Sequence, residues 1–159
     1  MFSWPHLHLL INHAPVGVLL CGLGLLVAAL LRKDRAWKDA SLWLLAAAGV
    51  AAFLVYVTGE PAADSLTHAL SPAARAAVEA HEGSARYVFG VLTALTTAAL
   101  AALFHGQRGE GVPDRFLWPV ALLGLVALGV LTWTSFLGGR IIHRELDAPP
   151  PSSSPSAPG

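Results

Sequence analysis

The sequence predicts an all-α integral membrane protein, folded as an up-down-up-down bundle of four transmembrane helices. Four apolar runs, at residues 11–31, 40–57, 87–104 and 116–137, are each close to the roughly 20 residues that a helix needs to cross a bilayer. Hydrophobic residues make up 55% of the chain and charged residues only 13%, where a soluble domain carries about 25% charged residues. The apolar residues form blocks instead of stripes, so we expect lipid to surround most of this surface.

The first span is predicted to contain two prolines with different consequences. Pro5 suits the first turn of a helix, whereas Pro15 interrupts the helix shortly after the apolar run begins. The short charged segment 32–39 then joins the first two helices, which makes them antiparallel neighbours.

Local signals also predict the end of the second helix and the start of the third. Gly59 is expected to adopt the left-handed conformation that ends a helix, and Pro61 to prevent the helix from continuing. A polar loop is expected from there to Leu70. Ser71 and Pro72 have the N-cap and first-turn pattern of a new helix, which we expect to begin outside the membrane.

The last connection and the tail complete the predicted plan. A short glycine-rich turn at 105–114 joins helices three and four, and the fourth helix is expected to end at 138–139. Residues 140–146 form a charged extension that could be helical. We assign 1–147 to one transmembrane domain, and 148–159, which is rich in proline and serine, to a disordered tail.

Charge predicts an orientation and excludes some partners. Ten basic and ten acidic residues leave no net charge, and no basic stretch interleaves with aromatic residues, so nucleic-acid binding is not predicted. Cys21 is the only cysteine, which excludes an intrachain disulfide. Basic residues in short loops near span ends favour the cytoplasmic side, and such residues gather at one end of the bundle. They are Arg32, Lys33, Arg35, Lys38, Arg108 and Arg115. Both termini are therefore predicted to be extracytoplasmic.

Alternation of four helices places six of the seven histidines at one end of the bundle, the end that holds both termini. These are His6, His8, His13, His68, His81 and His143, with His105 at the other end. Ionisable groups in membrane helices are costly and tend to mark function. His13 and His81 start helices one and three, which are diagonal in a sequential bundle. Two such imidazoles predict bis-histidine b-type haem, with His8 and His143 as further candidate ligands.

Carboxylates at the same end allow a second interpretation, a bare transition metal ion. Glu60 and Glu82 would add oxygen ligands to His13 and His81, a mixed set that suits zinc, non-haem iron or manganese. Taken singly, each residue also has an ordinary explanation as a solvated or ion-paired side chain at a helix end. The chain has no Cys-x-x-Cys-His sequence, nucleophile elbow, phosphate loop or zinc-protease motif, so no catalytic residue is assigned.

Small residues follow His13 along one face of the first helix. Such a stripe allows another helix to approach closely, or leaves room for a flat cofactor, and helix packing is the simpler interpretation. The stripe consists of Gly17, Cys21, Gly24 and Ala28. Large side chains are predicted to disrupt packing most at Gly17, Gly24, Gly49 and Gly124.

Four short motifs resemble a family of uncharacterised four-span bacterial membrane proteins, a domain of unknown function. The motifs are HLLINHAP at 8–15, TGEPA at 58–62, HE at 81–82 and GGRIIHRE at 138–145. The resemblance implies a protein of the bacterial inner membrane and covers the chain apart from its C-terminal tail. It gives more weight to His8, His13, Glu60, His81 and His143. Ala14 departs from the family pattern, which often has an aromatic residue between the second histidine and the proline.

The residues leave three functions open. The first is a redox protein that binds b-type haem or a transition metal at its outer end and passes electrons to a partner; the resemblance favours it, since related sequences occur beside redox modules. The second is a non-enzymatic accessory subunit of a larger membrane complex, whose polar residues only fix helix ends. A transporter or proton relay ranks last, because no charged residue lies in the middle of a span. Besides the lipid bilayer, the expected partner is a redox or membrane-complex protein.

Overall fold

Five α-helices in the described part of the chain form four rods, since the first two helices together make one span. The computed structural model describes residues 3–66, 70–109 and 111–142. The helices are α1 (Trp4–Ile11), α2 (Ala14–Arg32), α3 (Arg35–Leu66), α4 (Pro72–Gln107) and α5 (Asp114–Ile142). All four rods are long and apolar enough to cross a membrane, and each contains one predicted apolar run. The predicted all-α membrane bundle is confirmed; the predicted tail lies outside the described residues.

The rods close into a ring around a core of leucine and alanine. Helix pairs α2–α3, α3–α4, α4–α5 and α2–α5 pack together, and α1 packs against α3. Helices α2 and α4 are therefore diagonal, as predicted for the first and third rods. The largest buried side chains include Leu19, Leu26, Leu42, Leu45, Leu92, Leu95 and Leu117. Equally large apolar side chains cover the outside, where Leu31 is 80% and Tyr87 74% exposed, and these contact lipid.

Two of the predicted close-packing glycines lie where neighbouring rods touch. A Cβ atom on Gly124 would come within 2.7 Å of the Leu23 side chain, which links α5 to α2. A Cβ atom on Gly49 would overlap the hydroxyl of Thr96, and that hydroxyl donates a hydrogen bond of 3.3 Å to the carbonyl of Ala46. The packing prediction is confirmed at Gly49, where a Cβ atom would also come within 3.1 Å of the backbone carbonyl of Leu92. At Gly124 the contact is with the flexible end of Leu23, so a larger side chain there requires that leucine to move.

The small-residue stripe on α2 faces away from the bundle. A Cβ atom on Gly17 or Gly24 would have no neighbour within 4 Å. Cys21 is also exposed, and Ala28 is half-buried. The prediction that Gly17 and Gly24 are close-packing positions is therefore wrong within this chain, because the face of α2 that packs on its neighbours carries Leu19, Gly22 and Leu26 instead.

The predicted interruption of the first span divides it into two helices. Pro5 lies in the first turn of α1 and Pro15 in the first turn of α2. Between them, Asn12 caps the carboxyl end of α1 and His13 caps the amino end of α2. His8 and His13 therefore belong to different helices, so their positions cannot be related by helical periodicity.

The second predicted helix does not end where its sequence suggested. Helix α3 continues through Gly59 and Pro61 to Leu66, and Gly59 is not left-handed. Proline removes one backbone donor, but membrane helices tolerate it when neighbouring helices pack around it. Thr58 and Ala62 are buried on either side of Pro61, so packing against the rest of the bundle holds the helix through the proline. The predicted polar loop is thus helical up to Leu66.

Helix α4 starts where it was predicted to start, whereas α5 extends beyond its predicted end. Ser71 caps α4 by accepting a hydrogen bond from the amide of Ala74, and Pro72 lies in its first turn, as predicted. Helix α5 continues past the two glycines at 138–139 to Ile142. These extensions matter because α3, α4 and α5 all project their ends toward α1.

Candidate functional site

One end of the bundle gathers α1, the carboxyl ends of α3 and α5, and the amino end of α4. We call it the histidine end, and define it by His8, Thr58, His81, Ser84 and Thr134. Three of these residues, Thr58, Ser84 and Thr134, are among the four buried polar residues of the described chain. Polar groups in a membrane bundle are costly to bury, so their concentration here marks the end as a site.

His8 is anchored on α3 through one ring nitrogen. Its Nδ1 lies 3.1 Å from the hydroxyl oxygen of Thr58. The single hydroxyl proton of Thr58 is directed at the carbonyls of Leu54 and Val55, so the oxygen accepts from the Nδ1–H of His8. A neutral His8 therefore keeps the lone pair on Nε2. The ring also lies over Gly59, whose added Cβ atom would be 3.5 Å from the ring.

His81 is anchored on α5 in a matching way. Its Nδ1 lies 3.0 Å from the backbone carbonyl oxygen of Thr134, and a carbonyl can only accept. The hydrogen is therefore on Nδ1, and a neutral His81 also keeps its lone pair on Nε2. This ring lies against Gly138, where an added Cβ atom would be only 3.1 Å away.

A buried hydroxyl pair holds the helix that carries His81 to the helix that anchors it. The side-chain oxygens of Ser84 and Thr134 share a short hydrogen bond between α4 and α5. Ser84 lies one turn after His81, and Thr134 supplies the carbonyl that His81 binds. Thr134 thus holds the His81 ring through its carbonyl oxygen and the next turn of α4 through its hydroxyl.

Both imidazoles lie at the histidine end, with His8 held against α3 and His81 held against α5. Each ring has its Nδ1 within hydrogen-bond distance of a protein oxygen, and this is how proteins orient histidines that bind metal through Nε2. An imidazole oriented in this way can supply a nitrogen ligand to a metal ion.

His13, the first candidate of the sequence analysis, does not occupy this position. It is exposed at the start of α2, whereas His8 in α1 is bonded to Thr58 on α3. The break between α1 and α2 separates the two histidines, and it is α1 that packs its histidine against the carboxyl end of α3. Asn12, at the same break, has a buried Oδ1 atom without a hydrogen-bond partner in the described chain.

The carboxylates of the predicted metal set lie near the histidine end without completing it. Glu60 is exposed on α3, and Glu82 is half-buried next to His81. Within residues 3–66, 70–109 and 111–142, no three His, Cys, Asp or Glu side chains form a group that could hold a metal ion. The predicted set of His13, Glu60, His81 and Glu82 is therefore not assembled there. His143 lies outside the described residues.

Sequence reasoning missed the anchoring residues Thr58, Ser84 and Thr134. Their signal was available: each is a hydroxyl residue in or beside an apolar run, at the end of the bundle where histidines gather. Only the fold shows which hydroxyl meets which ring, because the two partners of each hydrogen bond are about fifty residues apart along the chain.

A protein-family model matches most of the chain. The model for "Predicted membrane protein (DUF2231)" matches residues 5–145. The chain belongs to this family. The predicted membership in a family of uncharacterised membrane proteins is thus confirmed, and the match covers residues of all five helices, including both anchored histidines. No curated protein and no solved structure matches the chain.

Proposed function

We propose that the histidine end binds b-type haem through His8 and His81, and that the protein transfers electrons across or along the membrane surface to a partner protein. The observation that carries the proposal is the matched anchoring of two imidazoles at one end of the bundle, each with its Nδ1–H donated to protein oxygen. A transition metal ion is the second form of the same proposal. Haem is preferred because it needs only two ligands from the protein, whereas a bare metal ion usually needs three or four.

The residues present suit such a ligand. Bonding of Nδ1–H to Thr58 and to the Thr134 carbonyl fixes the ring orientation and makes Nε2 a better electron donor. The two glycines behind the rings, Gly59 and Gly138, let each imidazole lie close to a helix backbone. A bound haem would supply a one-electron redox couple, and the histidines would hold it at the bundle end.

We further propose that the histidine end faces the outside of a bacterial inner membrane, with both termini extracytoplasmic. Support comes from the six basic residues of the α2–α3 and α4–α5 connections and adjoining helix ends, all of which lie at the opposite end of the bundle. A redox partner would then meet the site from the extracytoplasmic side.

Spectroscopy on matched histidine variants tests the site. The full chain is expressed with haem supplementation, purified in detergent, and measured for its Soret band and its iron content per protein. We expect His8→Ala and His81→Ala to abolish the band, and His13→Ala and His105→Ala to retain it. Wild-type protein with neither a Soret band nor bound metal would refute the proposal. Loss of the band in His13→Ala with retention in His8→Ala would refute the ligand assignment.

A second candidate function is an accessory subunit of a larger membrane complex. The outward-facing stripe of small residues on α2 favours it, because another transmembrane helix could approach closely there. This alternative predicts that His8→Ala and His81→Ala lower the yield of folded protein without changing its haem or metal content.

A further inference from the structure

The end of the bundle opposite the histidines contains an open cavity with a cationic lining. It has a volume of about 480 Å³ and lies where the carboxyl end of α4 meets the connection to α5. Its lining residues are His105, Arg108, Gly109, Gly111, Val112 and Pro113. The ionisable side chains in this set are a guanidinium and an imidazole, and both residues are exposed.

Close packing gives this cavity a defined wall. A Cβ atom on Gly106 would come within 2.6 Å of the Val112 side chain, so the last turn of α4 lies directly against the connection. Gly111 has φ +108°, a conformation that favours glycine, and it lies against the side chain of Arg35 from α3. The connection is therefore held by contacts with α4 and with the start of α3.

Aromatic and basic side chains continue the lining toward α5. The ring of His105 packs on that of Phe116, with centroids 4.7 Å apart, and the guanidinium of Arg115 lies 5.1 Å from the centre of the same ring. Two other basic residues at this end have carboxylate partners, since Lys38 pairs with Asp114 and Arg35 with Asp39. Arg108 lines the cavity.

We propose that this cavity binds the phosphate of an anionic phospholipid. Arginine recognises phosphate through charge-assisted hydrogen bonds, and basic pockets at the ends of transmembrane helices are sites for anionic headgroups. The position suits a lipid rather than a free anion. Phe104, next to His105, is 59% exposed, and Trp118 on the first turns of α5 is 65% exposed, so apolar side chains are available to the acyl chains.

Native mass spectrometry of the full chain, purified in detergent and mixed with equal amounts of phosphatidylglycerol and phosphatidylcholine, tests this site. We expect preferential retention of phosphatidylglycerol by the wild type. Arg108→Gln should reduce this preference about tenfold, the effect of losing one charged hydrogen-bond partner. Lys33→Gln is the matched control, because it removes one exposed charge from the same end without touching the cavity, and a change of no more than about twofold is expected.

Two further variants test the same proposal. Glu110 lies in the same connection, outside the described residues, and Glu110→Gln is expected to leave retention unchanged or to raise it. If Arg108→Gln fails to fold, His105→Gln replaces it with the same expected direction. Equal losses in Arg108→Gln and Lys33→Gln would indicate diffuse surface charge and overturn the site. Displacement of the lipid by millimolar inorganic phosphate would overturn the assignment to a lipid.

Discussion

The two ends of this bundle hold their polar residues by different means. At the histidine end, Thr58, Ser84 and Thr134 are buried, and their hydrogen bonds connect one helix to another. At the basic end, the ion pair of Arg35 with Asp39 is 57% and 40% exposed, and in the pair of Lys38 with Asp114 the lysine is 14% and the carboxylate 49% exposed. One end is built from buried hydrogen bonds, the other from charges that water can reach.

This difference predicts what each end can do. A buried hydrogen bond fixes the position of both partners, since leaving either one unpaired is costly. An exposed ion pair contributes little and constrains less, because solvent competes for both charges. Chemistry that requires a fixed nitrogen atom is therefore expected at the histidine end, and binding that requires only charge and shape is expected at the basic end.

The largest effect is expected from breaking the buried hydroxyl pair. Thr134→Val leaves the Ser84 hydroxyl without its partner and should lower the free energy of unfolding by about 1–3 kcal/mol, measured by SDS titration in detergent micelles. The backbone carbonyl that anchors His81 is retained. The double variant Ser84→Ala with Thr134→Val should recover much of the loss, because neither hydroxyl is then left unpaired.

Thr132→Val is the matched control for this prediction. Thr132 lies on the same helix, but it is exposed and its hydroxyl bonds only the carbonyl of Leu128 in its own helix. We expect a change within about 0.5 kcal/mol. A double variant as unstable as the sum of both single variants would contradict the pairing of Ser84 with Thr134.

The two glycines behind the histidines should respond differently to alanine. Gly59→Ala meets His8 at an ordinary contact distance of 3.5 Å and should gain up to about 1 kcal/mol from helix propensity. Gly138→Ala meets His81 at 3.1 Å, so the ring must shift and its hydrogen bond to Thr134 must lengthen. We expect Gly138→Ala to be about 1 kcal/mol less stable than Gly59→Ala. Equal stabilities would indicate that the His81 ring is not held in place.

Thr58 tests the anchor of the other imidazole. Thr58→Val removes the oxygen that accepts from His8 and should cost about 1 kcal/mol, whereas Thr58→Ser should retain the bond. Nitrogen-15 NMR of the histidine rings should show His8 losing its single Nδ1–H form in Thr58→Val. Thr93→Val is the control, because Thr93 is exposed and bonds only within α4. An unchanged His8 signal in Thr58→Val would contradict the anchor.

The sequence was sufficient for the architecture because the bilayer imposes it. Each span requires about 20 apolar residues, and short connections leave sequential helices antiparallel, so the four rods and the diagonal of α2 and α4 followed directly. Helix ends were harder. The sequence around Gly59 and Pro61 has the signals of a helix end, yet α3 continues, because the tertiary contacts of Thr58 and Ala62 outweigh local preference.

The sequence predicted the end of the bundle at which the histidines lie, but not which side chains are held there by hydrogen bonds. Alternation of spans placed His8, His13 and His81 at one end, and the structure confirms this for all three. That His8 is bonded to Thr58 while His13 is exposed depends on how α1 packs against α3, which no periodicity encodes. The outward orientation of Gly17 on α2 was missed for a related reason, since a small residue packs equally well inside a bundle or against a partner.

The smallest effect is expected at the basic end, from the ion pair between Lys38 and Asp114. A double-mutant cycle with Lys38→Met and Asp114→Asn should give a coupling of about 0.2–1 kcal/mol that declines as salt is raised. The cycle is needed because Asp114 also lies in the first turn of α5, where a carboxylate favours the helix by itself. A coupling that exceeds the loss caused by Thr134→Val, or that does not change between low salt and about 1 M salt, would mean that this end too is held by a desolvated contact. The two ends would then not differ in how they hold their polar residues. Side chains at the basic end would be held as firmly as the histidines are.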